Sequence, residues 1–102
     1  MDNLIPLIMN TKEIQKSIAD SVKELRLSRE LTRKTLAERA GISVHTLKHF
    51  EETGNISLKT LLMIAEALGR TEEFTELFKK EEYKSLSDIE NDSVNKRQRG
   101  RI

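Results

Sequence analysis

The spacing of apolar residues predicts a chain of short amphipathic helices. Asn10 and Glu13 have the three-residue separation of a helix-opening capping box. Apolar residues then recur at helical spacing at Ile14, Ile18, Val22 and Leu25. This pattern predicts a first helix over about residues 11–28.

Four further helices are indicated by the same alternation of cap, apolar face and stop. The predicted N-caps are Thr32, Ser43, Ser57 and Thr71, and the predicted stops are Gly41, Gly54 with Asn55, and Gly69. The apolar faces between them comprise Leu36, Ala37 and Ala40; Leu47 and Phe50; Leu58, Leu61, Leu62, Ala65 and Leu68; and Phe74, Leu77 and Phe78. The fold class is therefore all-α, with five helices.

The chain length and the fall in apolar content after residue 80 suggest one domain with two appendages. We expect an N-terminal extension over residues 1–10, a helical domain over 11–80 and a charged, mostly disordered tail over 81–102. The absence of cysteine excludes disulfides and thiolate zinc sites and fits a reducing compartment. The longest apolar run, residues 4–9, is far shorter than the roughly 20 residues of a membrane span and lacks signal-peptide features. We therefore expect a cytoplasmic protein.

The net charge of +1 conceals a basic middle and a basic end. Residues 26–49 contain six basic and two acidic side chains, whereas residues 81–95 contain one basic and five acidic ones. Residues 96–102 contain four basic side chains and no acidic one. This distribution favours a polyanionic partner.

The segment from Arg33 to Phe50 has the pattern of a helix-turn-helix motif. Small or apolar residues stand wherever two helices cross closely, and Gly41 stands where the turn needs a left-handed backbone. The constrained positions are Leu36, Ala37, Ala40, Gly41, Ile42, Leu47 and Phe50. An ordinary helical hairpin in a bundle is the alternative interpretation.

If Leu47 and Phe50 point inward, the opposite face of the third helix is free to enter the major groove of DNA. The candidate base-reading residues on that face are Val44, His45, Lys48 and His49. Candidate phosphate contacts lie near the starts of the second and third helices and in the loop that follows: Thr32, Arg33, Lys34, Ser43, Thr46 and Asn55. The functional hypothesis is sequence-specific recognition of double-stranded DNA.

Two charges fall on faces that the pattern predicts to be buried. Arg26 follows Val22 by four residues, and Glu51 follows Leu47 by four. Because an isolated buried charge costs several kcal/mol, we expect Arg26 and Glu51 to form a structural ion pair. The alternative is that both side chains extend to solvent.

The motif resembles the phage-repressor-like (XRE) family. The strings that carry the resemblance are LRLSR at 25–29, LTRKTLAERAGIS at 31–43 and TLKHFE at 46–51. It implies a five-helix lambda-repressor-like DNA-binding domain, with an ion pair at Arg26 and Glu51. Family members usually have a glutamine at the position of Arg33, which contacts phosphate and braces the reading helix. An arginine at this position can still contact phosphate, but the resemblance does not say whether it also braces the reading helix.

Shorter strings are similar to HipB-like regulators, which accompany HipA-type kinase toxins. These strings are FEETGNISLK at 50–59, EYKSL at 82–86 and KRQRGR at 96–101. The resemblance implies a homodimeric repressor of its own operon that reads an inverted-repeat operator and binds a HipA-like kinase toxin as its antitoxin. A phage or restriction-system regulator without a toxin, and a helical protein-interaction module, are the alternatives.

Catalysis is not expected, and no cofactor or metal is implied. His45 and His49 have the four-residue separation of a metal-binding pair on a helix, but Thr46 occupies the position where a zinc protease has its glutamate base. The sequence suggests neither a third ligand nor a catalytic nucleophile.

Overall fold

The computed structural model describes residues 9–81, which form five helices. They are α1 (Thr11–Ser28), α2 (Arg33–Ala40), α3 (Val44–Thr53), α4 (Leu58–Leu68) and α5 (Glu72–Thr75). The all-α, five-helix prediction is confirmed for this part of the chain. Residues 1–8 of the predicted extension, residues 82–102 of the predicted tail and two of the HipB-like strings lie outside the described residues.

Side-chain caps fix where the first four helices begin. Asn10 and Glu13 form the capping box, with the Glu13 amide donating to Asn10 Oδ1 at 2.8 Å and the Asn10 amide donating to Glu13 Oε1 at 3.0 Å. Thr32, Ser43 and Ser57 each accept a hydrogen bond from the backbone amide three residues later. These bonds satisfy amides that have no partner within their own helix.

Packing between α1 and α3 and between α2 and α4 creates one core. Its largest fully buried side chains are Leu36, Leu47, Phe50 and Ile64. Small residues, Ala19 on α1 and Ala37 on α2, are also buried and allow helices to approach closely. The helix-turn-helix segment is therefore held rigidly against α1 and α4.

Gly54 sets the contact between the end of α3 and the middle of α1. Its backbone has φ of +85°, and a Cβ there would lie 2.8 Å from the carbonyl carbon of Gln15 and 2.9 Å from the amide nitrogen of Lys16. Both neighbours are backbone atoms of α1, which cannot move aside as a side chain could. Only glycine fits at this position.

Four predictions about the helices are wrong, one of them for Leu77 on the fifth apolar face, which is 55% exposed. Leu58, the first residue of α4, is 65% exposed because its position projects away from the core, whereas Ile64 on the same helix is fully buried. Phe78 is fully exposed because α5 ends at Thr75 and the backbone at Phe78 turns with φ of +58°. Thr71 makes no side-chain cap, since its own backbone is already helical.

Candidate nucleic-acid interface

One face of α3 carries the four candidate base-reading side chains. Val44, His45, Lys48 and His49 are exposed, while Leu47 and Phe50 on the opposite face are buried. The rings of His45 and His49 stack with centroids 6.3 Å apart and planes inclined by 23°. The structure thus brings these four residues together on the exposed face of a helix whose other face is buried in the core.

The cap residues of α3 and α2 make matching hydroxyl contacts. Ser43 accepts a hydrogen bond from the Thr46 amide at 3.0 Å, and its hydroxyl lies 2.8 Å from the Thr46 hydroxyl. If Ser43 donates to Thr46, the Thr46 hydroxyl hydrogen remains available to an outside acceptor. Thr32 makes the same pair of contacts with Thr35. Thr35 is therefore a further candidate phosphate contact. The sequence did not suggest it, because its role depends on the pairing of its hydroxyl with that of Thr32.

The remaining candidate phosphate contacts differ in exposure. Lys34 and Asn55 are exposed, whereas Arg33 is only partly exposed. Asn55 donates its backbone amide to Thr53 Oγ1 at 3.0 Å, and Thr53 Oγ1 donates to the His49 carbonyl at 2.7 Å. The loop after α3 is therefore tied to the helix that carries the histidines.

Glu51 of α3 is shared by two arginines from two other helices. Arg26 of α1 donates to both of its oxygens, from Nε to Oε2 at 2.8 Å and from a terminal nitrogen to Oε1 at 3.1 Å. Arg33 of α2 adds a bond from Nε to Oε1 at 2.9 Å. Arg26 and Glu51 are buried, and Arg26 also donates to the Leu31 carbonyl at 2.8 Å. The predicted pair of Arg26 and Glu51 is thus present and has a third member.

The two arginines keep Glu51 ionised inside the protein. Burial alone would raise the pKa of Glu51, but hydrogen bonds from Arg26 and Arg33, together with their positive charges, outweigh that effect and hold the pKa below its usual value. No buried side-chain nitrogen or oxygen among residues 9–81 lacks a hydrogen-bond partner. The cluster is therefore a satisfied network rather than a strained one.

Sequence reasoning missed Lys16 as a further contact of α3. Lys16 Nζ lies 3.3 Å from the Glu51 backbone carbonyl and 2.5 Å from Asp20 Oδ1. A cation near the last turn of a helix is favourable because the free carbonyls there carry partial negative charge. Because the two residues are 35 positions apart in the sequence, no local pattern indicated this contact.

The structure offers no metal-binding group around the histidine pair. Among the described residues, no three His, Cys, Asp or Glu side chains are arranged to hold a metal ion. Within the same part of the chain, no helix is long and apolar enough to cross a membrane.

Comparison with known proteins identifies the family. The helix-turn-helix family model HTH_3 matches residues 22–74, more than half of the 102-residue chain. No individual characterised protein matches the chain significantly. The matched range contains α2, α3 and α4 together with Arg26, Arg33 and Glu51. The chain belongs to this XRE-type helix-turn-helix family of regulators, which bind double-stranded DNA.

Proposed function

We propose that the protein is a homodimeric transcriptional repressor that reads an inverted-repeat operator with α3. The observation that carries the proposal is the exposed face of Val44, His45, Lys48 and His49 on a helix whose other face is buried. A helix held in this way can enter the major groove without loss of core contacts. We place this activity in the cytoplasm.

Each side chain on this face has a chemically suitable target. Val44 offers an apolar contact to a thymine methyl group, and His45 can donate to or accept from a purine edge. Lys48 and His49 can donate hydrogen bonds to guanine or to phosphate. Thr32, Arg33 and Lys34 at the start of α2, Ser43 and Thr46 at the start of α3, and Asn55 after α3 would contact the phosphates of the DNA. The base contacts would supply sequence specificity, and the phosphate contacts would fix the register of the protein on the duplex.

Binding-site selection from a random duplex library, followed by titration of the selected site, tests the proposal. We expect two inverted half-sites about 34–36 Å apart, since each reading helix of a two-fold dimer must face the same side of the duplex. Affinity should fall steeply with salt because phosphate contacts release counterions. A half-site duplex of equal length is the control. Equal, salt-independent affinity for both duplexes would refute the proposal.

We further propose that the repressor is the antitoxin of a HipA-like kinase toxin. The support is the likeness of residues 50–59, 82–86 and 96–101 to HipB-like regulators. Co-expression with the product of the adjacent reading frame should give a complex and relieve growth arrest if that product is a kinase toxin. A neighbouring frame of another kind, with operator binding intact, would favour a phage or restriction-system regulator. Loss of sequence preference in the selection would favour a protein-interaction module.

A further inference from the structure

The exposed face of α3 carries both histidines of the chain as a stacked pair. His45 and His49 lie about one helical turn apart, and the centroids of their rings are separated by 6.3 Å. Within residues 9–81, neither ring forms a hydrogen bond, and no acidic side chain lies within salt-bridge distance of either ring. The ring nitrogens are therefore available to a partner outside this part of the chain.

The charges nearest to the pair on α3 have opposite signs. Lys48 follows His45 by three positions and opposes a positive charge there, whereas Glu52 follows His49 by three positions and favours one. The charged side chains that α1 and α2 bring into contact with α3 bind Glu51 instead: Lys16, Arg26 and Arg33. Since Glu51 is buried and both histidines are exposed, a change of charge on the pair leaves the buried cluster intact.

Protonation changes which bases an imidazole can recognise. A neutral imidazole has one donor and one acceptor, whereas a protonated one has two donors. Adenine presents the acceptor N7 and the donor N6 in the major groove, and guanine presents the acceptors N7 and O6. A neutral ring can therefore contact either purine. A protonated ring has no acceptor for adenine N6 but can still donate to guanine.

DNA stabilises the protonated form of the pair. Two positive charges on rings 6.3 Å apart repel each other in the unbound protein. Phosphates on both sides of the major groove offset this repulsion when α3 is bound. The formal net charge of +1 counts both histidines as neutral, so protonation is a large change for this chain. Binding is therefore expected to take up protons and to strengthen as the pH falls.

We infer that the His45–His49 pair makes the base preference of α3 depend on pH. Imidazole is the side chain that ordinarily changes charge between about pH 5 and pH 8. In mildly acidic solution the pair binds DNA more tightly and favours guanine, and in mildly alkaline solution it also accepts hydrogen bonds from adenine. The inference rests on the proposed function, because α3 must lie in the major groove for the pair to meet the bases.

Binding-site selection with the full chain at about pH 5.5 and about pH 8 tests the inference. Guanine should be enriched in the half-sites selected in acid. Affinity for a random duplex should rise by up to about tenfold per pH unit for each proton taken up. The double variant His45→Gln with His49→Gln keeps a donor and an acceptor at each position but does not titrate. It should select the same sites with the same affinity at both pH values.

Lys48→Gln is the matched control, because it removes a charge from the same face and keeps both histidines. Its response to pH should equal that of the wild type. Both pH values lie above 4.5, the ordinary pKa of glutamate, so Glu51 stays ionised and helical circular dichroism should not change.

Two results would overturn the inference. One is an equal response to pH in the wild type and in the double glutamine variant. The other is a wild type that selects the same sequences with the same affinity at both pH values, which would leave the proposed function standing. If no sequence is selected at either pH, the proposed function is refuted and the inference with it.

Discussion

Arg33 donates from Nε to Oε1 of Glu51 over 2.9 Å, which joins the first residue of α2 to a buried carboxylate of α3. The same carboxylate is held by Arg26 of α1. The Arg33 side chain remains 31% exposed. Arg33 is thus both a structural partner of α3 and a candidate phosphate contact, and its bond to Glu51 ties the start of α2 to α3.

Removal of the shared carboxylate should destabilise the fold strongly. Glu51→Ala leaves the buried Arg26 guanidinium without its anion, and we expect a loss of about 3–5 kcal/mol in the free energy of unfolding, measured by urea denaturation. Glu52→Ala changes the exposed neighbour and should cost little. Joint replacement of Arg26 and Glu51 by apolar residues should recover part of the loss. Equal small effects of Glu51→Ala and Glu52→Ala would contradict this view of the cluster.

Acid should weaken the fold through the same carboxylate. Because the pKa of Glu51 is lower in the folded protein than in the unfolded chain, its contribution to stability is complete above the unfolded value of about 4.5 and is lost as pH falls from there through the folded pKa. Between the two pKa values, the unfolding free energy should fall by up to about 1.4 kcal/mol per pH unit more in the wild type than in Glu51→Gln. Urea titrations at several pH values measure the difference. Parallel curves would exclude Glu51 as the source.

Two glycines with similar backbone angles should respond differently to alanine. Gly54→Ala meets the α1 backbone within 3.0 Å, and we expect it to cost about 2–4 kcal/mol by thermal or urea unfolding. Gly69 has φ of +71° with no atom within 4 Å of the added methyl. Gly69→Ala should therefore cost only the left-handed backbone penalty, about 1–2 kcal/mol. Equal costs would show that the approach of α3 to α1 is not tight.

Base reading and phosphate binding should separate in titrations with selected and random DNA. His45→Ala should cost roughly 1–3 kcal/mol on the selected site and little on random DNA. Lys34→Ala should weaken binding to the selected site and to random DNA alike. It should also reduce the slope of log affinity against log salt concentration by about one unit. Lys34 is a better probe than Arg33, since replacing Arg33 also removes a bond to Glu51. Identical behaviour of the two variants would mean that α3 does not read the bases.

The helix boundaries could be predicted because local chemistry decides them. Asn10, Thr32, Ser43 and Ser57 cap the helices as their types suggest, and the glycines at 41, 54 and 69 adopt positive φ. The Arg26–Glu51 contact also followed from two charges on apolar faces. The bond from Arg33 and the approach of Gly54 to α1 did not, because each depends on how separate helices meet in space. The exposure of Phe78 was missed since α5 is too short for a periodic pattern.

The candidate base-reading face of α3 is independent of the core and of the Glu51 cluster, which affects how the DNA preference of this protein can change. Among the described residues, the side chains of His45, Lys48 and His49 form no hydrogen bond or salt bridge, and Val44 is 42% exposed. New residues at these four positions would leave the core and the Glu51 cluster untouched. If α3 reads the bases as proposed, altered operator preference is accessible by single substitutions at these positions with little penalty in stability.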